Sequence, residues 1–285
     1  MQNILEPAPG EANSRQSETH SAFPAPRARR SISDLLAPLE KIAGSSPNLV
    51  ANHGAVFEVG GEVYEVPRYL FVGPKGGGAP IRIGLFAAIH GDEPEGAHAL
   101  VQFVKLLEAR PELALGYCLS IYPVCNPTGF EDNTRHSRNG RDLNREFWKN
   151  SAQPEVRILQ AELVSHSFEG IIALHSHGDG EGFYGVVRSL TLTEHLVGPA
   201  LKAAEIFLPR DEHPFIEGVP ARDGVVRDSA DGVLSAPPKV HPRPFEITLE
   251  APKAPPSYLK EFALAMALRS ILIEYRKFIA YAPNL

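Results

Sequence analysis

Cysteine is scarce in this chain of 285 residues, which contains only Cys118 and Cys125. Disulfide networks stabilise small secreted domains that cannot build a large core, and a chain of this length does not need them. The two cysteines are seven positions apart on one predicted strand, so their side chains would point to opposite faces. We therefore expect two reduced cysteines. Since no apolar signal segment is visible near residue 1, we also expect a cytoplasmic protein.

An excess of positive charge is missing as well. The chain has 28 Lys+Arg against 34 Asp+Glu, which gives a formal net charge of −6. This balance argues against nucleic acid or an anionic membrane surface as a partner, because both attract basic proteins. A small basic cluster, Arg27, Arg29 and Arg30, lies in a Pro- and Ser-rich stretch, and we expect it to be solvated. No apolar run approaches the roughly 20 residues of a membrane span.

Alternating strand and helix patterns dominate the rest of the sequence. The strands are predicted at 81–89, 117–125, 170–176 and 245–251, and the helices at 96–109, 154–168, 193–207 and 256–280. This alternation predicts an α/β fold with three α/β/α layers and a central, mostly parallel mixed sheet. We predict a poorly ordered tail over residues 1–30 and one domain over 31–285. Within that domain, 209–244 reads as a long loop near the functional site.

Polar residues stand where several predicted strands end. These residues are His90, Asn126, His175 and Glu250. Ligands of open α/β sheets bind at the carboxyl ends of the strands, so these side chains are expected at one edge. His90 and Glu93 are three residues apart in the segment HGDE, and His175 could be a distant third ligand. Two histidines and a carboxylate suit a catalytic zinc ion with one position left for water.

The His-x-x-Glu spacing alone is weak evidence, because it recurs at His166 and Glu169, where we read it as a solvated helix end. His177 shares a strand face with His175 and is its competitor for the ligand role. We expect His177 to line the site instead. No G-x-S-x-G segment occurs, so the sequence does not support a serine hydrolase.

Four motifs, in order along residues 81–252, resemble the zinc carboxypeptidase family, including its aspartoacylase and succinylglutamate desuccinylase relatives. They are HGDE at 90–93, the segment NPTGFEDNTRHSRNGRDLNR at 126–145, IIALHS at 171–176 and ITLEAP at 247–252. The resemblance implies one zinc ion per chain, held by His90, Glu93 and His175. It further implies that Glu250 is the general base, that Arg135 stabilises the oxyanion, and that Asn144 and Arg145 bind a substrate carboxylate.

The sequence also departs from the digestive carboxypeptidases of this family. Asp92 stands where those enzymes carry an arginine, and no tyrosine occurs between 222 and 234. The sequence therefore does not predict the chemical nature of the substrate part that lies farthest from the metal. Only about 35 residues follow Glu250, so we expect no C-terminal β-domain of the aspartoacylase type.

We predict a zinc-dependent hydrolase that cleaves a peptide or amide bond beside a free carboxylate. A carboxypeptidase-like protease acting on small peptides is the first interpretation. An N-acyl-amino-acid deacylase of the aspartoacylase/succinylglutamate desuccinylase type is the second. A non-catalytic protein that only binds carboxylates is the alternative from another class. The sequence does not indicate an oligomeric state.

Overall fold

A computed structural model describes residues 29–52, 54–178, 182–188, 190–227 and 230–281. The side chains at 177 and 190–194 are not part of this description. The tail predicted for residues 1–30 thus lies almost wholly outside the described residues, and so does the side chain of His177.

Ten strands form the main sheet, in the order β1-β4-β6-β5-β7-β12-β8-β11-β10-β9. The strands are β1 (Leu49–Asn52), β4 (Arg68–Val72), β5 (Ile81–Ala87), β6 (Tyr117–Tyr122), β7 (Gly170–His177), β8 (Tyr184–Val187), β9 (Phe215–Ile216), β10 (Val219–Arg222), β11 (Val225–Arg227) and β12 (Phe245–Pro252). A separate hairpin pairs β2 (Val56–Val59) with β3 (Glu62–Glu65). The central strands β6, β5, β7 and β12 are mutually parallel, whereas antiparallel pairs occur towards both edges. The predicted mixed, mostly parallel centre is confirmed.

Helices cover both faces of this sheet. They are α1 (Ile32–Ala43), α2 (Pro94–Ala109), α3 (Pro127–Asp132), α4 (Pro154–Ser165), α5 (Leu190–Ala204) and α6 (Ser257–Tyr281). A large apolar core joins α1, α2, α5 and α6 to one face. A second apolar cluster packs α4 against the other. These are the predicted three layers, and the four helices predicted from the sequence, which are α2, α4, α5 and α6, begin and end within a few residues of their predicted limits.

Alternation along the central strands assigns each side chain to one layer. On β12, Ile247 and Leu249 lie in the core beneath α6, whereas Glu246 and Glu250 point to the opposite face. Apolar residues drive this placement, because burying one aliphatic side chain contributes about 1.5–3 kcal/mol. The polar residues of the same strands therefore collect on the face that carries the functional site.

The segment 209–244 differs from the predicted loop. Part of it forms β9, β10 and β11, which extend the sheet beyond β8. Each of these strands has only two to four residues, too few to show a period of two in the sequence. The rest of the segment passes the functional site, where Ala230, Val233 and Leu234 line its cavity.

Within the described ranges, no helix has both the length and the apolar character that a membrane crossing requires.

Candidate metal centre and active site

The loop after β5 carries the HGDE segment in a constrained conformation. Ala88 has a positive φ of 49° where the strand ends. A Cβ atom at Gly91 would lie 1.9 Å from the carbonyl carbon of Gly129, so only glycine permits this approach of two backbones. Pro94 then begins α2. The loop is thereby pressed onto the start of α3, and His90 and Glu93 both turn inward.

A candidate ligand cluster consists of His90, Glu93 and His175, whose ligand atoms all lie within 4.8 Å of one another. The Nδ1 atom of His90 is 2.8 Å from Oε1 of Glu93, and Nδ1 of His175 is 2.9 Å from Oε2. Each of the three residues is no more than 4% exposed. A divalent cation among these atoms would satisfy both imidazoles and the carboxylate at once. The donor set therefore fits a metal ion.

The protonation of this cluster follows from its neighbours. Burial disfavours charge on Glu93, but the attraction of His175 and hydrogen bonds from both imidazoles hold its pKa well below the usual range. Burial also opposes the charged form of His90, yet its hydrogen bonds with Asp142 and Glu93 raise its pKa. Glu93 is thus ionised in the folded protein, and the negative charge around the histidines attracts a cation.

Asp142 contacts the far side of His90. Its Oδ1 lies 3.3 Å from Nε2 of that imidazole. A carboxylate here favours the tautomer with the proton on Nε2, in which Nδ1, on the side of Glu93, could coordinate a metal. Asp142 is the N-cap of a 3₁₀ turn over Leu143–Arg145, and it accepts from the backbone N–H of Asn144 at 3.0 Å. The same carboxylate therefore contacts both a candidate metal ligand and the backbone of the next predicted site residues.

Glu250 lies beside the ligand cluster on the neighbouring strand. β12 and β7 are parallel, and their register places Glu250 directly opposite His175. Burial raises the pKa of the Glu250 carboxyl above its usual range, against the attraction of His175 and with added repulsion from Glu93 and Glu217. A carboxyl whose pKa is shifted towards neutrality is suited to take up and release a proton.

Arg135 reaches the same site from the loop after α3. Its guanidinium pairs with Asp142 at 3.2 Å and lies 3.6 Å from Oε1 of Glu93. The side chain is 43% exposed, so part of the guanidinium faces the cavity. This places a fixed positive charge beside the ligand cluster.

Asn144 and Arg145 line the cavity as well. Oδ1 of Asn144 accepts the backbone N–H of Leu234 at 2.8 Å, which leaves the amide nitrogen as the donor for a ligand. Arg145 donates one N–H to the carbonyl of Asn144 at 2.8 Å. The remaining donors of both side chains can form charge-assisted hydrogen bonds with an anion.

Asn126, also predicted at a strand end, has a structural role. Fully buried, it caps α3 by accepting the N–H of Gly129 at 2.9 Å. Its amide donates to the carbonyls of Ile89 and Arg135 at 3.3 and 3.4 Å. Asn126 thereby joins the loop of the metal cluster to the segment that carries Arg135.

A cavity of about 330 Å³ is lined by His90, Glu93, His175, Glu250, Arg135, Asn144 and Arg145. It extends from His175 and Glu250 along the sheet face to Ile171 and Glu246, four residues earlier on the same strands. Four residues of strand span roughly 13 Å. The cavity is therefore deep enough for a side chain to extend beyond the predicted metal and carboxylate sites.

Several residues of the site were not predicted from the sequence. Asp142 lies inside the motif that contains Arg145, so the motif could have indicated it. Arg188 lines the cavity after β8 and lies 3.4 Å from Glu246. Glu217 lines it from the β9–β10 turn, with a positive φ of 50°. Glu217 comes from the region predicted as loop, where the sequence has no periodic pattern to locate it. Arg188 lies between the strand predicted at 170–176 and the helix predicted at 193–207, where we predicted no site residue.

The fold has three α/β/α layers, and its site groups two histidines and a glutamate that could hold a metal ion. The family model for the succinylglutamate desuccinylase/aspartoacylase catalytic domain matches residues 80–196, which include His90, Glu93 and His175. A search of curated proteins gives no match.

Solved structures have a similar fold. A Shewanella denitrificans protein, assigned provisionally as a metallopeptidase, has a TM-score of 0.70 and 21% identity, covering 85% of this chain and 89% of its own. A metallo-carboxypeptidase from Burkholderia cenocepacia has a TM-score of 0.69 and 16% identity, and the match covers 88% of this chain and 70% of that protein. A metallo-carboxypeptidase from Pseudomonas aeruginosa has a TM-score of 0.61 and 16% identity, and the match covers 85% of this chain and 68% of that protein. At these identities the structures establish the fold. Together with the family model, they confirm the resemblance to the zinc carboxypeptidases and their succinylglutamate desuccinylase/aspartoacylase relatives.

Proposed function

We propose that this protein is a zinc-dependent hydrolase that cleaves a peptide or amide bond next to a free carboxylate. The observation that supports this best is the convergence of His90, Glu93 and His175 with Glu250 in one cavity. Arg135 and Arg145 line the same cavity, so it offers metal ligands, a proton acceptor and anion-binding groups together.

Each residue has a distinct part in this reaction. When bound, zinc supplies a Lewis acid that acidifies water and polarises a carbonyl. The Glu250 carboxylate takes the proton from the attacking water and later gives it to the nitrogen of the leaving amine. The Arg135 guanidinium donates to the oxygen on which negative charge develops. Asn144 and Arg145 donate to the carboxylate of the substrate and so fix the distance from that group to the scissile bond.

The carboxypeptidase interpretation is supported by the solved neighbours. The Pseudomonas aeruginosa metallo-carboxypeptidase is in complex with (2-guanidinoethylmercapto)succinic acid, a ligand that carries two carboxyl groups. A cavity with Asn144 and Arg145 in its wall suits a ligand of this charge. We therefore propose a short peptide with a free C-terminal carboxylate as the substrate.

The deacylase alternative is supported by a different observation. The family model that matches residues 80–196 is the one for succinylglutamate desuccinylase/aspartoacylase. In that case the substrate is an N-acylated amino acid, and the same carboxylate-binding groups hold its amino-acid part. Both interpretations place the scissile amide bond next to a free carboxylate.

Substrate panels test the proposal. We expect the zinc-loaded protein to hydrolyse short peptides, or N-acetyl- and N-succinyl-amino acids, and to lose activity when the substrate carboxylate is blocked as an amide. A hydrogen bond to a charged group contributes about 1.5–3 kcal/mol, so kcat/KM should fall by roughly ten- to more than a hundredfold. Arg145→Met should remove most of the difference between free and amidated substrates, whereas Arg141→Met, at an exposed position four residues earlier, should keep it.

The reaction products distinguish the carboxypeptidase interpretation from the deacylase interpretation. Release of C-terminal residues supports the carboxypeptidase, and release of acetate or succinate supports the deacylase. Equal turnover of free and amidated substrates by the wild type would contradict the carboxylate-binding role. Binding of free carboxylates without any hydrolysis would support the non-catalytic alternative.

A further inference from the structure

A lysine lies buried on the apolar side of α6. Lys260 is 3% exposed and precedes Leu264, Leu268 and Leu272, which are four residues apart and buried in the core. Removing an ammonium group from water costs several kcal/mol unless a partner compensates for it. Its contacts therefore indicate what it does.

Glu95, at the start of α2, is the ionic partner of this lysine. Nζ of Lys260 lies 2.6 Å from Oε1 of Glu95, and the other carboxylate oxygen accepts the Ser176 hydroxyl at 2.9 Å. Lys260 also donates to the backbone carbonyl of Lys253 at 3.1 Å. The lysine thus joins three segments, namely the start of α2, the end of β7 and the turn after β12.

These contacts continue to the ligand cluster through Ser176. This serine directly follows His175, and its backbone N–H donates to Oε2 of Glu93 at 3.1 Å. The same oxygen is 2.9 Å from Nδ1 of His175. Ser176 is therefore held by its side chain to Glu95 and by its backbone to Glu93. Any movement of Ser176 would change the distance between two of the three ligands.

The turn after β12 gives the lysine a second connection to the site. Lys253 follows Glu250 by three residues, and its Nζ lies 3.3 Å from Oδ2 of Asp92, within the HGDE segment. Because Lys260 holds the carbonyl of Lys253, it also limits the movement of the strand end that carries Glu250. The network lies on the α2 and α6 side of the sheet, behind the metal cluster.

We propose that Lys260, acting through Glu95 and Ser176, is a positioning residue that holds Glu93 and His175 in the geometry for metal binding. Stability alone does not explain such a pair, because apolar residues of similar volume often replace a buried ion pair without loss. Groups that orient metal ligands from behind commonly change metal affinity ten- to a hundredfold when they are removed. The inference rests on the proposed function insofar as it takes the cluster for a metal site.

The test removes both charges at similar volume, in the double variant Glu95→Met and Lys260→Met. We expect zinc binding, measured by competition with a chromophoric chelator, to weaken about ten- to a hundredfold. The visible absorption spectrum of the Co²⁺-loaded variant should differ from that of the wild type, since it reports ligand geometry. The melting temperature of the metal-free variant should stay at or above the wild-type value.

Tyr117→Phe is the matched control. Its hydroxyl donates to the Leu272 carbonyl of the same helix at 2.6 Å, in the buried interior. This variant should lower the melting temperature and keep the wild-type zinc affinity and cobalt spectrum. Should the double variant fail to fold, Ser176→Ala keeps the ion pair and removes only the hydroxyl link, and zinc binding should weaken about two- to tenfold.

Folded variants that keep the wild-type zinc affinity and cobalt spectrum would overturn the positioning role and leave the proposed hydrolase intact. A wild-type protein that binds no zinc would overturn the metal site and this inference together. Equal losses of zinc affinity in Tyr117→Phe would also overturn the inference, because any loosening of α6 would then suffice.

Discussion

Each oxygen of the Glu93 carboxylate contacts a different histidine, so the three residues of the cluster depend on one another. His90 contacts Oε1 and His175 contacts Oε2. Loss of one imidazole would leave the buried Glu93 carboxylate with fewer partners, which costs free energy in the folded protein.

The first prediction at this scale concerns the metal. His175→Ala should abolish stoichiometric zinc, measured by elemental analysis after dialysis, because two ligands do not hold zinc tightly. The control is His166→Ala in the second His-x-x-Glu copy, where His166 contacts Glu162 on α4 instead of the cluster. Full zinc content in His175→Ala would remove this histidine from the site.

The second prediction concerns proton transfer. Glu250→Gln should lower kcat by on the order of 10² to 10⁴, the usual contribution of a general base, and retain zinc. Glu246→Gln lies on the same strand face, where its carboxylate accepts the N–H of Ala236 at 3.2 Å, and should affect kcat far less. Similar small losses in both variants would show that the proton does not pass through β12.

Two arginines of the basic cluster near the N-terminus, a cluster that we expected to be solvated, have different surroundings. Arg30 donates to the carbonyl of Gly91 at 2.8 Å and lies over the ring of Phe130. Arg29 pairs with Glu62 at 2.8 Å and is 52% exposed. Arg30 thus supports the loop of the ligand cluster, whereas Arg29 is a surface ion pair. Nothing in the local sequence distinguishes the two.

At the scale of elements, α4 is attached to the sheet by a charged group. Glu162 accepts the Tyr122 hydroxyl of β6 at 2.6 Å and pairs with Arg68 of β4. Burial opposes its charge, but these hydrogen bonds hold the pKa of Glu162 below its usual range. A carboxyl whose folded pKa is depressed stabilises the fold above its unfolded pKa of about 4.3, and this contribution is lost as the pH falls through the folded value.

The third prediction follows from the depressed pKa of Glu162. Glu162→Gln should lower the free energy of unfolding at pH 7 by about 1–3 kcal/mol, measured by urea denaturation, and the difference from the wild type should shrink below about pH 4. Glu58→Gln, on an exposed position of β2, should change it by no more than about 0.5 kcal/mol. A difference for Glu162→Gln that is the same at pH 7 and pH 3 would contradict the assignment.

At the scale of the whole molecule, the site belongs to the sheet rather than to any one segment. The candidate ligands come from the loop after β5 and from β7, and the candidate base comes from β12. Strand pairing keeps these segments together, and a bound metal would add a further connection between them. Binding to the folded state alone stabilises it by mass action.

The fourth prediction is a metal-dependent melting temperature. Free zinc at about 1,000 times Kd should stabilise the fold by about 4.1 kcal/mol, which corresponds to a shift on the order of 10 °C. Calorimetry before and after treatment with a chelator measures this shift. The His175→Ala variant should melt at the same temperature with and without the chelator. A shift of equal size in that variant would mean that the metal binds elsewhere.

The sequence by itself determined the layers of the fold and the residues of the candidate site. Apolar periodicity is set by neighbours along the chain, so the central strands and the long helices were predicted within a few residues of their limits. The positions of His90, His175 and Glu250 near strand ends follow from the same pattern, because parallel strands deliver their carboxyl ends to one edge. Motifs that resemble a family supplied the remaining site residues.

Only the tertiary structure decided which distant residues meet. Glu95 reads from the sequence as a carboxylate at a helix start, and the structure pairs it with Lys260, 165 residues later. The register of β12 on β7 brings the predicted Glu250 directly opposite His175 and places Glu246 opposite Ile171. The short strands β9 to β11 likewise form only because β8 offers them an edge. Such contacts depend on packing and strand pairing across the whole sheet, and their free energy is not encoded in any local segment.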